Sequence, residues 1–269
     1  MVMEVSRSSY YEYFKDRQSN SSPVQKALET RIRAIFKESN QSYGSRRNTK
    51  KLQSEGFRVG RYRVRSLMKK MGIRVKTPKR YKVTTNSRHN YPVAPNLLER
   101  QFDVATPNKV WTTDITYIWT FEGWYYLAIV MDLFSRQIVG WAMDKRMKTQ
   151  LVKNALTMAY WRRKPQPGLI HHSDRGSQYA SGKYQKQLKE YHMIPSMSRK
   201  GDCWDNAPTE RFFRSMKSER ISFYRFATRN AARIEILDYI SYYNSSRLHS
   251  YLGYVAPMDF ERNKILNVA

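Results

Sequence analysis

Three carboxylates stand in settings that could do metal chemistry. Asp114 interrupts an otherwise uncharged stretch, Val110-Trp111-Thr112-Thr113-Asp114-Ile115-Thr116-Tyr117. A carboxylate in such an apolar strand is costly unless it binds a cation or is paired. Asp174 follows His171-His172-Ser173 and precedes Arg175-Gly176-Ser177, a turn that frees backbone donors. Glu210 falls in the first turn of a helix expected to open near Ala207. The gaps hold 59 and 35 residues. Spacing alone is weak evidence, because 22 acids allow many such triplets. The donor chemistry says more. Three hard oxygen ligands, with one cysteine and five histidines in the chain, suit Mg²⁺ or Mn²⁺ rather than zinc. Two such ions about 4 Å apart can activate a nucleophile and stabilise the leaving oxygen at a phosphodiester. Lys217 lies seven residues after Glu210, two turns along the same helix face, where it can reach a polyanion held at the metals.

Positioning these groups requires strands. Val110 to Phe121 is rich in β-branched and aromatic residues, and Glu122-Gly123 makes a turn. Trp124 to Phe134 and Ile138 to Met143 complete an antiparallel meander. Helices are predicted over 149–163, 181–191 and 207–220, with short strands at Leu169–His172 and Ile194–Met197. The order β-β-β-α-β-α-β-α predicts an α/β core, a mixed sheet covered by helices, with its chemistry at strand ends. A further helix at about 228–244 carries an apolar stripe of Ile236, Tyr239, Ile240 and Tyr243 that reads as core.

The charge balance selects the partner. The 269 residues carry 49 Lys+Arg against 22 Asp+Glu, a net +27, which calls for a polyanion, most simply nucleic acid. No apolar run reaches the ~20 residues that span a bilayer. A lone cysteine, Cys203, excludes a disulfide framework and fits a reducing cytoplasm. Residues 1–100 hold 24 basic and 7 acidic residues, net +17. Leu28, Ile32, Ile35 and Phe36 mark one helix over 24–38. A second covers 45–54, and Val64, Leu67, Met68 and Met71 mark a third over 61–71. The other faces of that third helix carry Arg61, Arg63, Arg65, Lys69 and Lys70, which suits a helix-turn-helix laid against DNA. From Val75 to Pro95 the chain reads as an extended basic arm, with Lys76, Lys79 and Arg80 tracking the phosphate backbone. The expected divisions are a partial helix in 1–20, a helix-turn-helix-like domain in 21–75, a linker in 76–105, a catalytic core in 106–225, and a C-terminal helix and tail in 226–269.

Other candidates have plainer readings. Asp205 or Asn206 would cap the helix before Glu210, and neither Asp202 nor Asp205 reads as a metal ligand. His172 reads as a packed strand residue. Arg247 is as well suited to a structural hydrogen bond as to DNA. Trp111, Trp119, Trp124 and Trp141 read as packing rather than base stacking.

Three blocks carry a resemblance: Trp111-Thr112-Thr113-Asp114-Ile115-Thr116-Tyr117; His172-Ser173-Asp174-Arg175-Gly176-Ser177-Gln178-Tyr179; and Cys203-Trp204-Asp205-Asn206-Ala207-Pro208-Thr209-Glu210-Arg211-Phe212-Phe213. They resemble the catalytic blocks of the DDE integrase/transposase superfamily, above all the second-reading-frame transposases of two-frame bacterial insertion sequences. Tyr243-Asn244-Ser245-Ser246-Arg247-Leu248-His249, with Leu252-Gly253 and Pro257, resembles that family's C-terminal signature, and the 35-residue gap is its spacing. The resemblance covers about 24–262. It implies a ribonuclease H-like fold, Mg²⁺-dependent DNA strand cleavage and strand transfer with two ions, and Asp114, Asp174 and Glu210 as metal ligands. Mn²⁺ would substitute, and Lys217 matches the family's basic residue. It also implies action on element ends and target DNA in the bacterial cytoplasm, at the nucleoid, as a homo-oligomer. A non-catalytic or regulatory DNA-binding relative is the alternative, against which the intact acids argue. A ribonuclease of the same fold is a third reading, against which the basic N-terminus argues. Val5 to Tyr11 opens a helix expected over about 7–16 that looks like the tail of a unit encoded upstream. An upstream-frame product, as fusion or partner, is therefore expected to supply end recognition.

Overall fold

The computed structural model describes residues 6–11, 22–75, 91–200 and 202–266. The chain divides into two compact units, residues 1–75 and 76–269. Residues 7–11 are helical, and Ser6 Oγ accepts from the Ser9 N–H at 3.1 Å, so the expected serine cap is in place. The remainder of that expected helix, 12–16, lies outside the described residues, as do Lys76, Lys79 and Arg80.

In the first unit, helices α1 (Pro23–Glu38), α2 (Ser45–Ser54) and α3 (Arg61–Lys70) pack through Leu28, Ile32, Ile35, Leu52, Val64, Leu67 and Met68. Each buried set follows the 3.6-residue period, because only one stripe of a short helix can face its neighbours. Ser22 caps α1 by accepting from Gln25 N–H at 3.2 Å. Between α1 and α2, Asn48 Nδ2 donates to the Tyr43 carbonyl at 2.8 Å, pairing a buried amide with a turn acceptor. Arg31 joins Glu38 and Glu55 at 2.7 and 2.6 Å, tying α1 to the end of α2. Arg61, Arg63, Arg65, Lys69 and Lys70 all stand exposed on α3.

The second unit is a five-stranded sheet of β1 (Val110–Thr120), β2 (Gly123–Asp132), β3 (Ile138–Asp144), β4 (Ile170–Ser173) and β5 (Ile194–Met197). Its order is β3-β2-β1-β4-β5. The first three strands pair antiparallel, and β4 and β5 join in parallel. Helices α4 (Thr149–Arg163), α5 (Ser177–Ala180), α6 (Gly182–Glu190), α7 (Ala207–Glu219), α8 (Arg229–Ser245) and α9 (Pro257–Leu266) complete it. Alternation along the strands sends side chains to two cores. Leu127, Ile129 and Met131 of β2 pack with Phe212 and Met216 of α7 and Tyr239 and Tyr243 of α8. Ala128 and Val130 pack instead with Trp111, with Leu151, Ala155 and Ala159 of α4, and with Tyr184 of α6. The sheet is thus buried on both faces.

The expected linker 76–105 is too long. Leu98, 2% exposed, enters the α7–α8 core, Leu97 N–H donates to Ser196 Oγ at 2.9 Å, and Met197 N–H reaches the Pro95 carbonyl at 3.3 Å. Residues around 94–102 therefore belong to the core, held by a leucine that the polar surroundings concealed. At the edge strand, Asn244 accepts from Ile138 N–H and donates to its carbonyl, both at 2.9 Å, supplying the ladder partner that β3 lacks. No helix among the described residues is long and apolar enough to cross a membrane.

Gly140 marks the closest helix–sheet approach. A Cβ there would run into the Ala155 carbonyl oxygen and lie 2.7 Å from Ala159 Cβ. Gly140→Ala is expected to destabilise the fold by roughly 1–3 kcal/mol through overpacking. A urea midpoint unchanged from that of the parent chain would show that α4 can move away freely.

Candidate active site

Asp114 and Asp174 are brought together by strand register. The parallel β1–β4 ladder ends at Thr112↔His172, so two residues further along, Asp114 and Asp174 come abreast. Neighbouring strands run about 5 Å apart, and equal offsets point the two side chains to one face. Asp174 sits just beyond the carboxyl end of β4, the place where α/β sheets collect ligands. Backbone donors orient both groups. Ile115 N–H donates to Asp114 Oδ1 at 2.7 Å, and Gly176 N–H to Asp174 Oδ1 at 2.9 Å.

Glu210, in the first turn of α7, reaches the same place because that turn is stapled to β1. Asn206 Nδ2 donates to the Thr113 carbonyl at 3.0 Å, and Thr209 Oγ1 donates to Thr112 Oγ1 at 2.7 Å. On β1 these bonds fall at the two residues just before Asp114, and on the other side they fall just before Glu210. Sequence reasoning did not single out Asn206 or Thr209 for this role, since a buried threonine pair across 97 residues leaves no local signal.

Charge shows that the acids form one set. Burial pushes the Asp114 carboxyl well above the usual aspartate value, and the negative charges of Asp174 and Glu210 push it further. Burial also raises Glu210, with Asp174 adding to the shift and Arg214 opposing it. Lys217 is the counterweight. Its ammonium is held below the usual lysine value by burial, while Asp114 draws it back up, and its Nζ lies 4.8 Å from the centre of the Tyr117 ring. Among the described residues, no three His, Cys, Asp or Glu side chains stand close enough together, as placed, to hold a metal ion. The acids are an open set of hard oxygen donors that repel one another, a donor chemistry that a divalent cation of the Mg²⁺ class fits.

The loop before α7 is locked by Asp205, whose carboxylate has no accessible surface. It accepts from Asn96 Nδ2 at 3.0 Å, Arg100 Nε at 2.9 Å and Arg199 Nη2 at 2.9 Å. The Arg199 guanidinium holds this carboxyl below the usual aspartate range. Asp205 is therefore an anchor, not a helix cap. Asn206 occupies the cap position, but its side chain is spent on Thr113 rather than on α7. Asp202 caps the short 3₁₀ turn Cys203–Asn206, accepting from Trp204 N–H at 3.1 Å.

His172 is packed as expected, with its ring nitrogens 2.9 and 3.1 Å from Ser196 and Ser198 Oγ. Burial lowers its pKa to about 4, so it is neutral at pH 7. Arg247 is structural. It is buried and grips both oxygens of Glu219, at 2.7 and 2.6 Å. Trp111 is fully buried, and Trp141 is half-buried under the Arg162 guanidinium. Trp119 and Trp124 depart from the packing expectation, because both stand exposed at the β1–β2 turn.

Comparison with known proteins agrees with this architecture. Residues 23–81 match an HTH-like domain family, and residues 105–203 and 191–257 match two integrase core domain families. The chain is 43% identical over 260 residues to the insertion element IS600 uncharacterized 31 kDa protein of Shigella sonnei, covering 96% of each. It is 40% identical over 267 residues to the transposase InsF for insertion sequence IS3A of Escherichia coli, covering 98% of this chain and 93% of that one. A chain of a simian T-cell lymphotropic virus intasome superposes with a TM-score of 0.51 at 14% identity, covering 86% of this chain and 74% of that one, and shares the ribonuclease H-like fold. With 40% identity to InsF over nearly its full length and an integrase core behind an HTH-like domain, the chain belongs to the IS3-type insertion-sequence transposases.

Proposed function

We propose that this transposase cuts and joins DNA strands at a centre made by Asp114, Asp174 and Glu210, with Lys217 holding the DNA beside it. What supports the reading is the register that carries Asp114 and Asp174 side by side, together with the charges of Asp174 and Glu210 that raise the Asp114 carboxyl and that of Asp174 that raises Glu210. Magnesium, at two sites and replaceable by Mn²⁺, would there lower the pKa of an attacking water or 3′-hydroxyl and neutralise the leaving oxygen.

The protein's own contribution is position and charge. The Ile115 and Gly176 N–H groups each hold one carboxylate oxygen, which fixes how Asp114 and Asp174 would be presented to a cation. The Asn206 and Thr209 staples fix where Glu210 meets them. Lys217 offers its ammonium to a non-bridging phosphate oxygen, with the Tyr117 ring beneath it limiting its travel. In the same reading the exposed Arg61, Arg63, Arg65, Lys69 and Lys70 of α3 contact DNA, with Lys76, Lys79 and Arg80 following its backbone. The working enzyme is an oligomer on element ends and target DNA, and an upstream-frame product supplies end recognition.

The test is a nicking and joining assay on element-end DNA with and without divalent metal. Metal-dependent nicks joined to target are expected, and metal-independent activity would exclude this centre. Lys217→Ala is expected to lower joining at limiting DNA about tenfold, in line with the loss of one charge-assisted phosphate contact of ~1.5 kcal/mol, while the melting temperature stays unchanged. An unaltered joining rate would reduce Lys217 to a support for Tyr117.

A further inference from the structure

At the β1–β2 turn the chain keeps large aromatic rings in water. Trp119 is 55% exposed, Phe121 69% and Trp124 44%. The antiparallel register pairs Tyr117 with Tyr126 and Trp119 with Trp124, which sets these four rings on one face of the hairpin. Tyr117 meets Trp124 edge to face with centroids 5.1 Å apart, and Trp124 meets Trp119 at 4.8 Å. One end of this row is Lys217, over the Tyr117 ring at 4.8 Å. At the other end, the segment between α7 and α8 bridges to β1 at Thr120↔Phe226. There Trp119, Phe121, Arg225 and Phe226 line a groove of about 290 Å³. Arg225 is exposed and forms no ion pair with an acid among the described residues.

A contiguous exposed apolar patch of this kind marks an interaction site rather than a stretch of core. Two features choose its occupant. The row has a cation at each end, and aromatic faces alternating with cations are how proteins hold unpaired nucleotides, rings stacking on bases and cations on phosphates. A second copy of this chain would instead cover Arg225 with a surface that shares the chain's own excess of positive charge, a net +27. We propose that the groove between Trp119, Phe121 and Arg225 takes a nucleobase freed from the DNA duplex near the reacting phosphate. This rests on the reading of Asp114, Asp174 and Glu210 as the reaction centre. Five residues of strand separate Asp114 from Trp119, about 17 Å at the ~3.3 Å rise of a β-strand, and the odd offset turns their side chains to opposite faces, so the DNA strand passes round the edge of β1 that β4 leaves open beyond Thr112. A DNA strand advances ~3.4 Å per nucleotide, so the freed base lies within about five nucleotides of the phosphate at the acids.

The experiment measures binding of the full chain to element-end DNA carrying 2-aminopurine at each of the first eight positions. One series is fully paired and a second has the opposite strand trimmed. Quenching by stacking is expected at one or two positions within about five nucleotides of the end, and stronger binding to the trimmed series. Trp119→Ala is expected to weaken binding to trimmed DNA roughly fivefold to 150-fold, the range of one base–aromatic stack, with little change on paired DNA. Trp119→Phe is expected to restore most of that binding, which separates stacking from a folding defect. Arg225→Ala is expected to lower the log–log salt slope by about 0.7, as one single-strand phosphate contact requires. Equal binding of both series by the parent chain and by Trp119→Ala would overturn the proposal. So would sedimentation in which Trp119→Ala splits an oligomer while the affinity for trimmed DNA is unchanged, since the ledge would then be a face between copies. Asp114→Asn keeps these outcomes distinct from failure of the reaction centre, because it removes cleavage without touching the ledge.

Discussion

Asp114→Asn is expected to abolish strand cleavage and joining and, in the absence of metal, to make the protein more stable. Both effects come from one carboxylate. Its acid form is favoured by burial and by the charges of Asp174 and Glu210. The folded value thus lies above the unfolded one, so the ionised group opposes folding at every pH above its folded value. That opposition fades as the pH falls through the folded value. The amide keeps the shape and removes the charge, and each kcal/mol relieved raises Tm by about 2–4 °C in a unit of this size. The metal-free parent should therefore gain stability on mild acidification, and Asp114→Asn should gain less, through Glu210 alone of this pair. Saturating Mg²⁺ should reverse the order, because an ion bound only by the folded state stabilises the parent alone. Activity should fall at least about a thousandfold, since a lost metal ligand withdraws several kcal/mol of transition-state stabilisation. Asp174→Asn and Glu210→Gln should match it in activity. Thermal melts at pH 5 to 8 with chelator or Mg²⁺, beside the joining assay, decide the matter. A variant that melts below the metal-free parent, or that keeps near-parental activity, would show Asp114 to be a structural residue.

Chains beginning at residue 91 and at residue 106 should behave very differently. The first loses 23 basic and 6 acidic residues, net +17, and should bind DNA with a much shallower salt slope, by about 0.9 for each phosphate contact removed. It should still fold, because the sheet and its helices are complete. The second also loses Leu98 from the core, and Asn96 and Arg100 from Asp205. Burial of a leucine alone is worth ~2–5 kcal/mol. Leaving the buried Asp205 carboxylate to Arg199 alone adds ~1–3 kcal/mol. Together these remove about half of the 5–15 kcal/mol that holds a typical domain together. Circular dichroism and urea titration should find the longer chain cooperative and the shorter one largely unfolded. Equal urea midpoints would return residues 91–105 to the linker.

The sequence made local periodicities legible. β-Branched and aromatic composition outlined β1 to β3 to within a residue or two, 3.6-residue stripes outlined α1, α3, α4 and α8, and α2, α6 and α7 fall within a residue or so of the helix ranges expected for them. What it concealed depends on distant partners. Nothing near Asp205 announces that Asn96, Arg100 and Arg199 will surround it, so its place before a helix made it look like a cap. Nothing near Arg247 announces Glu219. The four-residue helix α5 is too short to show a period, and α9 has few apolar residues to mark one. Trp119 and Trp124 have the composition of core, yet both stand exposed at a strand end. The acids themselves were recognisable from their blocks, but their nearness rests on a parallel register set by β4, 60 residues downstream of β1.

Helix α7 is fastened at both ends. Asn206 and Thr209 hold its first turn to β1. At its last turn Glu219 is gripped by Arg247 and by the Tyr239 hydroxyl, and the next residue, Arg220, bonds Glu235 and Asp238 of α8 at 2.7 and 2.6 Å. A beam clamped this way cannot ratchet by a turn or swing on a hinge, so Glu210 and Lys217 keep a constant separation through the reaction. Accommodation then falls to the nucleic acid. Between cutting one strand and attacking another, it is the DNA that must bend, fray and slide past a stationary tool.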